Sequence, residues 1–316
     1  MWVKMSSRHR NLIIVRAGPG SLHANWLEGG GPVFDVLVAA YHPDAMAEDT
    51  ERVRHKFLPG AKVAGWNAVL SDNPELLDQY DRIAFIDDDV DATTSTINKC
   101  FKVGERYALQ IWQPALSADS YITYAASLRN PRFELRFCNY VEMMCPFFHT
   151  KLLKKIAPLF AMGFESGIDL IWCSIANENG GLCAVVDGCI VRHTRPVGRA
   201  KDLNGFVNRR YETDIYACLE RFGMRWPSWV VTGAISRNDK FVRSNILLSM
   251  SAASALSTVP AAPPGTRRYR TKAALDYLRH QATRPPYFGV DVTARLGIAK
   301  VSATAPSRAA IRARRD

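Results

Sequence analysis

The 316-residue sequence lacks the patterns that mark several common classes of protein. Its seven cysteines include no C-x-x-C pair, so zinc-ribbon and dithiol redox sites have no support, and buried reduced thiols are favoured. No apolar segment of a secretory signal follows the first methionine. The longest uncharged stretch, 245–265, contains three prolines and is a poor membrane span. We therefore expect a folded protein of the reducing cytoplasm.

Positive charge is unevenly distributed along the chain. The net charge is +11, and from Pro264 onward there are twelve lysines and arginines but only three acidic residues, a surplus of nine. A basic tail of this kind can bind an anionic membrane or nucleic acid, or it can simply be solvated. Because the tail lacks the regularly interleaved aromatic residues of a stacking platform, no specific nucleic acid is expected as a partner.

Strand and helix patterns alternate through the first two thirds of the chain. Strands are predicted at 11–15, 33–40, 62–64, 83–86 and 182–192, and helices at 65–80, 93–106, 151–160 and from 168. Strands separated by helix-sized segments favour right-handed βαβ units. The prediction is an α/β fold with a Rossmann-like, mostly parallel sheet flanked by helices. Residues 1–235 would form the main domain, and 236–316 a basic, helical or irregular C-terminal extension.

Three adjacent carboxylates, Asp87, Asp88 and Asp89, follow the apolar run 83–86. Asp87 and Asp89 are close enough in sequence to converge on one hard divalent cation through oxygen ligands. Open α/β sheets bind ligands in loops at the carboxyl ends of their strands. The pattern predicts an Asp-X-Asp site in which a metal ion holds a diphosphate; a solvated acidic turn is the alternative for the tripeptide alone.

Three other titratable residues are candidates for chemistry. Glu142 lies in an apolar segment predicted as a strand, where a carboxylate needs either a structural ion pair or a polar ligand such as a sugar hydroxyl. Asp169 begins a predicted helix, where it could complement the helix dipole or act as a general base. His193 ends a predicted strand and could be structural, or could complete a metal site begun by the aspartates.

Five short segments occur in a characteristic order. They are FIDDD at 85–89, QPAL at 113–116, VEMMCP at 141–146, GFESGID at 163–169, and VVD followed by VRH within 185–193. In this order they resemble the "domain of unknown function 707" family, whose members look like glycosyltransferases of the GT-A fold. The resemblance covers roughly residues 11–198. Ser166 departs from it, since the family often has Trp or Gly there.

The resemblance implies a cytoplasmic, metal-dependent glycosyltransferase with a GT-A-like domain. By similarity, Asp87 and Asp89 would hold Mn²⁺ or Mg²⁺ and the diphosphate of a nucleoside-diphosphate sugar, with His193 as a third metal ligand. Glu142 and Asp169 would face the sugar or the acceptor, and either could take the acceptor's proton. The nucleotide would lie near the remaining predicted residues, which are Arg16, Ala17, Gly18, Tyr41, Lys62 and Asp88.

The acceptor would be a polysaccharide, a lipid-linked glycan or another glycan, and the basic tail could contact the anionic inner face of a membrane. Two other functions stay open. One is a phosphatase of the haloacid dehalogenase type, because residues 87–90 fit its Asp-X-Asp-X-(Thr/Val) motif. That motif normally closes the first strand of its domain, however. The other is a non-catalytic protein that binds sugar or nucleic acid.

Overall fold

The computed structural model describes residues 10–198 and 211–297. The strands in these ranges are β1 (Asn11–Ala17), β2 (Asp35–Ala40), β3 (Val53–Phe57), β4 (Arg82–Asp87), β5 (Val90–Asp91), β6 (Ile111–Leu116), β7 (Phe133–Cys138), β8 (Phe147–His149), β9 (Cys183–His193), β10 (Val231–Ser236) and β11 (Phe241–Val242). The α-helices are α1 (Lys62–Asp72), α2 (Leu76–Gln79), α3 (Thr94–Arg106), α4 (Thr150–Phe160), α5 (Asp169–Glu178), α6 (Tyr211–Arg221), α7 (Asn245–Ala252), α8 (Arg267–Thr283) and α9 (Val292–Arg295).

The strands form a sheet in the order β11-β10-β7-β9-β6-β8-β4-β1-β2-β3, and β5 pairs with the end of β9. Strands β3, β2, β1 and β4 are parallel, as are β6 and β9. The short strand β8 runs antiparallel between β4 and β6, and β7, β10 and β11 also pair antiparallel. The predicted α/β fold with flanking helices is confirmed. The prediction of a mostly parallel sheet is wrong, because these returning strands make the sheet mixed.

Adjacent phenylalanines of β8 show that the sheet has a packed layer on each face. Successive side chains of a strand point to opposite faces. Phe147 contacts Phe101 of α3 at a ring-centroid distance of 4.8 Å, whereas Phe148 contacts Trp172 of α5 at 5.3 Å. The core therefore lies on both sides of the central strands, with α3 covering one face and α5 the other.

Residues 62–64 form the first turn of helix α1, so the short strand predicted there is wrong. The backbone N–H groups of Val63 and Ala64 donate to the two carboxylate oxygens of Glu165, at 2.7 and 2.8 Å. The first N–H groups of a helix have no partner within the helix, and an acidic side chain at that end also complements the dipole. A distant residue thus supplies the cap that the local sequence lacks.

Glu142 lies in the turn between β7 and β8, so its predicted place in a strand is also wrong. The apolar segment around it contains two strands that end before and begin after the carboxylate. A buried apolar run does not by itself distinguish a strand from a buried turn. Strand β3 is a further element that the sequence patterns missed, since only its first residue, Val53, is buried.

Helix α8, in the C-terminal part, is anchored to the sheet through buried polar groups. Arg136 of β7 forms a bidentate pair with Asp187 of β9, at 2.8 and 2.9 Å, and also contacts the Tyr277 hydroxyl of α8 at 3.3 Å. Arg270 of α8 donates to the carbonyl of Ala118 at 2.9 Å. The division of the chain at residue 235 stays a prediction. Within the described ranges, none of the helices has the length and apolar character to cross a membrane.

Candidate functional site

The acidic triplet lies where the strand order of the sheet reverses. From β1 the chain adds β2 and then β3 on one side, and afterwards returns to place β4 on the other side. Parallel α/β sheets leave a crevice at such a point, outside the carboxyl ends of the strands. Here β1 ends at Ala17 and β4 ends at Asp87, and Arg16 is in register with Asp87. The sheet topology therefore places the predicted site in a ligand-binding position.

A cavity of about 770 Å³ opens at this crevice. Its lining includes these predicted residues: Arg16, Tyr41, Lys62, Asp87, Asp88, Asp89, Glu142, Asp169 and His193. Two predicted residues, Ala17 and Gly18, do not line the cavity. The Ala17 carbonyl instead accepts a hydrogen bond from the backbone N–H of Tyr41, which does line it. Residues far apart in sequence thus meet around one space.

Asp88 is directed into the protein and holds the wall together. One of its oxygens accepts hydrogen bonds from the Gly18 backbone N–H at 2.8 Å and from the Tyr41 hydroxyl at 3.3 Å. Its other oxygen lies 3.5 Å from the guanidinium of Arg195. Burial raises the pKa of Asp88, while the Gly18 hydrogen bond opposes that rise. The side chain therefore joins the turns that follow β1, β2 and β9.

Asp87 is paired with a lysine. Lys62 Nζ donates to Asp87 Oδ2 at 2.6 Å, and both side chains are partly exposed to the cavity. Burial raises the pKa of Asp87 to about 6; the Lys62 charge opposes this rise and the Asp89 charge adds to it. The lysine is thus placed at the crevice by the first turn of α1, with a carboxylate that holds it in position.

Asp89 faces a histidine whose orientation is fixed. The Nδ1 of His193 lies 3.0 Å from the carbonyl oxygen of Tyr121, which can only accept, so Nδ1 carries the hydrogen. The other ring nitrogen, Nε2, lies 3.3 Å from Asp89 Oδ2. Burial lowers the pKa of His193, but the hydrogen bond and charge of Asp89 outweigh it and raise the pKa overall. In the neutral ring, Nε2 would offer its lone pair on the side of Asp89.

Asp89 and His193 fit two ligands of a divalent cation. Asp89 Oδ1 is buried and has no hydrogen-bond partner, and metal-binding histidines commonly donate their second ring nitrogen to a carbonyl, as His193 does. Asp87 is instead joined to Lys62. Among the residues that the structure describes, no three or more His, Cys, Asp or Glu side chains are arranged so that they could together hold a metal ion. The complete three-ligand set stays a prediction.

Glu142 and Asp169 form an acidic pair on another part of the cavity wall. Asp169 accepts hydrogen bonds from the Tyr140 hydroxyl at 2.5 Å and from the Met143 backbone N–H at 3.4 Å. Glu142 Oε2 is buried without a partner. Burial raises the pKa of Glu142 to about 7, and the Asp169 charge adds to the rise. Asp169 is thus held in place, whereas Glu142 retains an oxygen that can bind a proton.

Arg16 supports a neighbouring loop. The buried guanidinium donates to the carbonyl oxygens of Leu58 and Gly60, both at 2.7 Å, and to that of Ala39 at 3.3 Å. Burial lowers the pKa of Arg16 to about 10. Those carbonyls consume much of its donor capacity, so its main contacts fix the loop that leads into α1 and Lys62.

Arg195 and Glu165 are site residues that sequence reasoning missed. Arg195 lines the cavity and donates to the Pro19 carbonyl at 3.1 Å and the Gly20 carbonyl at 2.5 Å. Arg195 could have been predicted from its position two residues after His193, because residues that directly follow a strand lie near the strand's last residue. Glu165 lies within the GFESGID segment, yet nothing local indicated that it caps α1.

Comparisons with solved structures find distant similarities. A crystal structure of S. aureus TarS 1–349 in complex with UDP-GlcNAc is 12% identical, with 87% of this chain and 90% of that chain covered and a TM-score of 0.39. A second crystal structure of S. aureus TarS 1–349 is 12% identical, with 87% of this chain and 89% of that chain covered and a TM-score of 0.42. A197 from STIV is 13% identical over 74% and 94%, with a TM-score of 0.36. At these scores the similarities carry no argument about activity.

No protein-family model matches the chain. A search of curated proteins also finds no relative. The resemblance to the domain of unknown function 707 family therefore stays a prediction.

Proposed function

We propose that this protein is a metal-dependent glycosyltransferase of the GT-A type, which transfers a sugar from a nucleoside diphosphate to a hydroxyl of a glycan. One observation carries the proposal: a single cavity, where the strand order reverses, is lined both by a charged cluster and by a buried acidic pair. The charged cluster consists of Lys62, Arg195 and the acidic triplet 87–89. The cluster suits a diphosphate and its counter-ion. The pair, Glu142 and Asp169, suits a sugar and an attacking hydroxyl.

The diphosphate half of the site rests on complementary charge. Lys62, beside Asp87, and Arg195, beside Asp88, both line the cavity and would neutralise phosphate oxygens. Asp89 and His193 would hold Mn²⁺ or Mg²⁺. When bound, such an ion supplies electrostatic stabilisation of the negative charge that develops on the leaving nucleoside diphosphate. The bound cation would then supply the positive charge that both the acidic triplet and the diphosphate require.

Glu142 is the stronger candidate for the base that takes the acceptor proton. A general base works best when its pKa lies near the working pH, and burial raises that of Glu142 to about 7. Asp169 instead uses one oxygen to accept from Tyr140 and Met143, which suits a residue that orients substrate. Glu142→Gln is expected to lower transfer about 10²- to 10⁴-fold while leaving nucleotide binding intact.

Calorimetric titration tests the donor half directly. UDP, GDP, ADP, CDP and dTDP would each be titrated with and without Mn²⁺ into wild type, Asp89→Ala and the matched control Asp91→Ala. Asp91 lies on β5 and pairs with Arg192 at 3.1 Å. We expect one nucleotide to bind in a manganese-dependent way to wild type and to the control, but not to Asp89→Ala. If folded wild-type protein binds none of the five under either condition, the proposal is wrong.

Membrane contact through the basic tail is a separate proposal. The charge of the tail supports it, although Arg270 is buried and donates to backbone carbonyls, so not every tail cation is available. The last five cations lie in 298–316, outside the described residues. Sedimentation with phosphatidylserine vesicles should fall when 298–316 is removed, and equal sedimentation of both proteins would contradict the proposal.

The phosphatase alternative finds less support. In the described chain β4 is preceded by three strands, whereas the corresponding phosphatase motif closes the first strand of its domain. Phosphatase activity towards a general phosphomonoester, abolished by Asp87→Asn, would favour it over the glycosyltransferase.

A further inference from the structure

An aromatic wall extends outward from the acidic pair. Tyr124, Tyr140 and Trp229 contact one another edge to face, with ring-centroid distances between 4.6 and 5.7 Å. The Tyr140 hydroxyl donates to Asp169, which ties this wall to the proposed acceptor end of the cavity. Trp229 is buried, so the inner part of the wall is fixed by packing.

Two exposed aromatic side chains lie next to this wall: Trp226, which lines the cavity, and Tyr216, which contacts Trp226 but does not itself line the cavity. Trp226 lines the cavity together with Tyr124, yet 39% of it is exposed to solvent. Tyr216 of α6 is 63% exposed, and its ring meets that of Trp226 at 5.9 Å and 66°. Single exposed apolar side chains are common, but two rings in contact beside a cavity form a contiguous apolar patch, which is typical of a binding surface.

The chain around Trp226 is held in place on both sides. Asn139 donates to the carbonyl of Ser228 at 2.8 Å and accepts from the Val230 backbone N–H at 2.9 Å. On the other side, the Arg225 backbone N–H donates to the Tyr287 hydroxyl at 3.3 Å. A surface fixed before the ligand arrives loses less conformational freedom on binding.

We infer that Trp226 and Tyr216 form an acceptor subsite that binds the ring of a saccharide. This inference rests on the proposed function and identifies the acceptor as a glycan long enough to extend from the acidic pair to the cavity mouth. A sugar ring presents a face of C–H groups that can pack on an aromatic side chain, while its hydroxyls remain at the edge. Glu212 lines the same mouth and can accept hydrogen bonds from those hydroxyls.

The size of the surface argues against a second copy of the chain as its occupant. A stable protein interface buries about 1,200–2,000 Å² in total, far more than two neighbouring rings supply. A sugar unit is matched to one or two aromatic side chains. The connection to a deep cavity also favours a ligand that enters it.

The test compares Trp226→Ala with Trp226→Phe and with Phe241→Ala. Phe241 is an exposed aromatic residue on β11 that does not line the cavity, which makes it a matched control. Binding of malto-, cello- and chito-oligosaccharides would be measured by saturation-transfer NMR and titration. Nucleotide binding and thermal unfolding would be measured on the same four proteins. We expect at least one oligosaccharide to bind wild type and Phe241→Ala equally, about tenfold more weakly to Trp226→Ala, and within threefold to Trp226→Phe.

Two binding results would overturn the subsite: oligosaccharide binding to Trp226→Ala within twofold of wild type, or no oligosaccharide binding to wild type at all. A change of oligomeric state on gel filtration of Trp226→Ala would also overturn it, in favour of a self-interface. Manganese-dependent nucleotide binding with any of these results would leave the proposed function standing. Saccharide binding that depends on Trp226 without nucleotide binding would support the subsite and reject the transferase.

Discussion

Two clusters of buried charge in this protein differ in how completely their polar atoms are hydrogen-bonded. In the Arg136–Asp187 pair, the guanidinium donates twice to the carboxylate and its remaining donors go to Tyr277 and to the carbonyls of Ala126 and Leu128. Burial acts to lower the pKa of Arg136, but the charge and hydrogen bonds of Asp187 raise it. That cluster is complete, and it joins three elements of the fold.

The cluster at the crevice is incomplete by comparison. Asp89 Oδ1 and Glu142 Oε2 are buried with no hydrogen-bond partner. Unpaired buried oxygens cost free energy in the protein alone. Among the buried carboxylates that the structure describes, that of Asp187 is satisfied and serves the architecture, whereas the two with an unsatisfied oxygen, Asp89 and Glu142, both line the cavity, where a ligand could supply the missing partner.

Arg136→Leu should destabilise the fold most, because it leaves Asp187 buried and unpaired. The expected loss in the free energy of unfolding is about 3–5 kcal/mol. Urea unfolding followed by circular dichroism measures it, with the exposed Arg132→Leu as the control. The double variant with Asp187→Leu should recover much of the loss, and a double variant as unstable as the single one would contradict the assignment.

Glu142→Gln should stabilise the protein at high pH only. The pKa of Glu142 is about 7 in the folded state against an ordinary value of 4.5, so the folded state binds the proton more tightly. Wild type therefore loses stability as pH rises from about 4.5 to 7. The variant lacks this loss, so we expect it to be about 3 kcal/mol more stable than wild type at pH 8 and equal at pH 4.5. Urea unfolding midpoints of wild type and the variant would be measured at both pH values. A difference in stability that is the same at both would contradict the prediction.

Gly18→Ala should disturb the wall of the crevice. A Cβ at Gly18 would lie 2.2–2.5 Å from atoms of the Tyr41 ring, which must then move away and give up its hydrogen bond to Asp88. The expected cost is about 1–3 kcal/mol. In a Tyr41→Ala background the same change should cost far less, and an undiminished cost there would show that the ring is not the cause.

Arg192→Ala should have the smallest effect. Arg192 pairs with Asp91 at 3.1 Å and with Asp119 at 3.5 Å, and its side chain is half exposed. Exposed ion pairs contribute about 0–1 kcal/mol. Thermal unfolding at low and high salt measures the change, which should be below 1 kcal/mol and should shrink with salt. A larger loss in the free energy of unfolding would show that the ion pairs of Arg192 stabilise the fold as strongly as the buried pair of Arg136.

Sequence patterns located helices α1 to α5 and the strand that carries the acidic triplet, because these signals are local, but they did not locate α6 to α9. Helix α3 begins where expected, since the Thr93 side chain accepts from the Thr96 backbone N–H and caps it. The sequence patterns gave the wrong secondary structure at residues 62–64 and at Glu142. In the first case a distant carboxylate caps a helix, and in the second a turn is as buried as the strands around it.

Local sequence was enough to predict an acidic turn at the end of a buried strand, an acid at the start of α5 and a histidine at the end of β9, because each depends on neighbouring residues and on periodicity. The packing of the whole chain decided that Asp88 turns inward to Gly18 while Asp87 contacts Lys62 and Asp89 contacts His193. It also decided that β8 enters the sheet antiparallel and that Trp226 lies at the mouth of the cavity. The physical reason is that these contacts join distant parts of the chain, and no local propensity specifies which of them will meet.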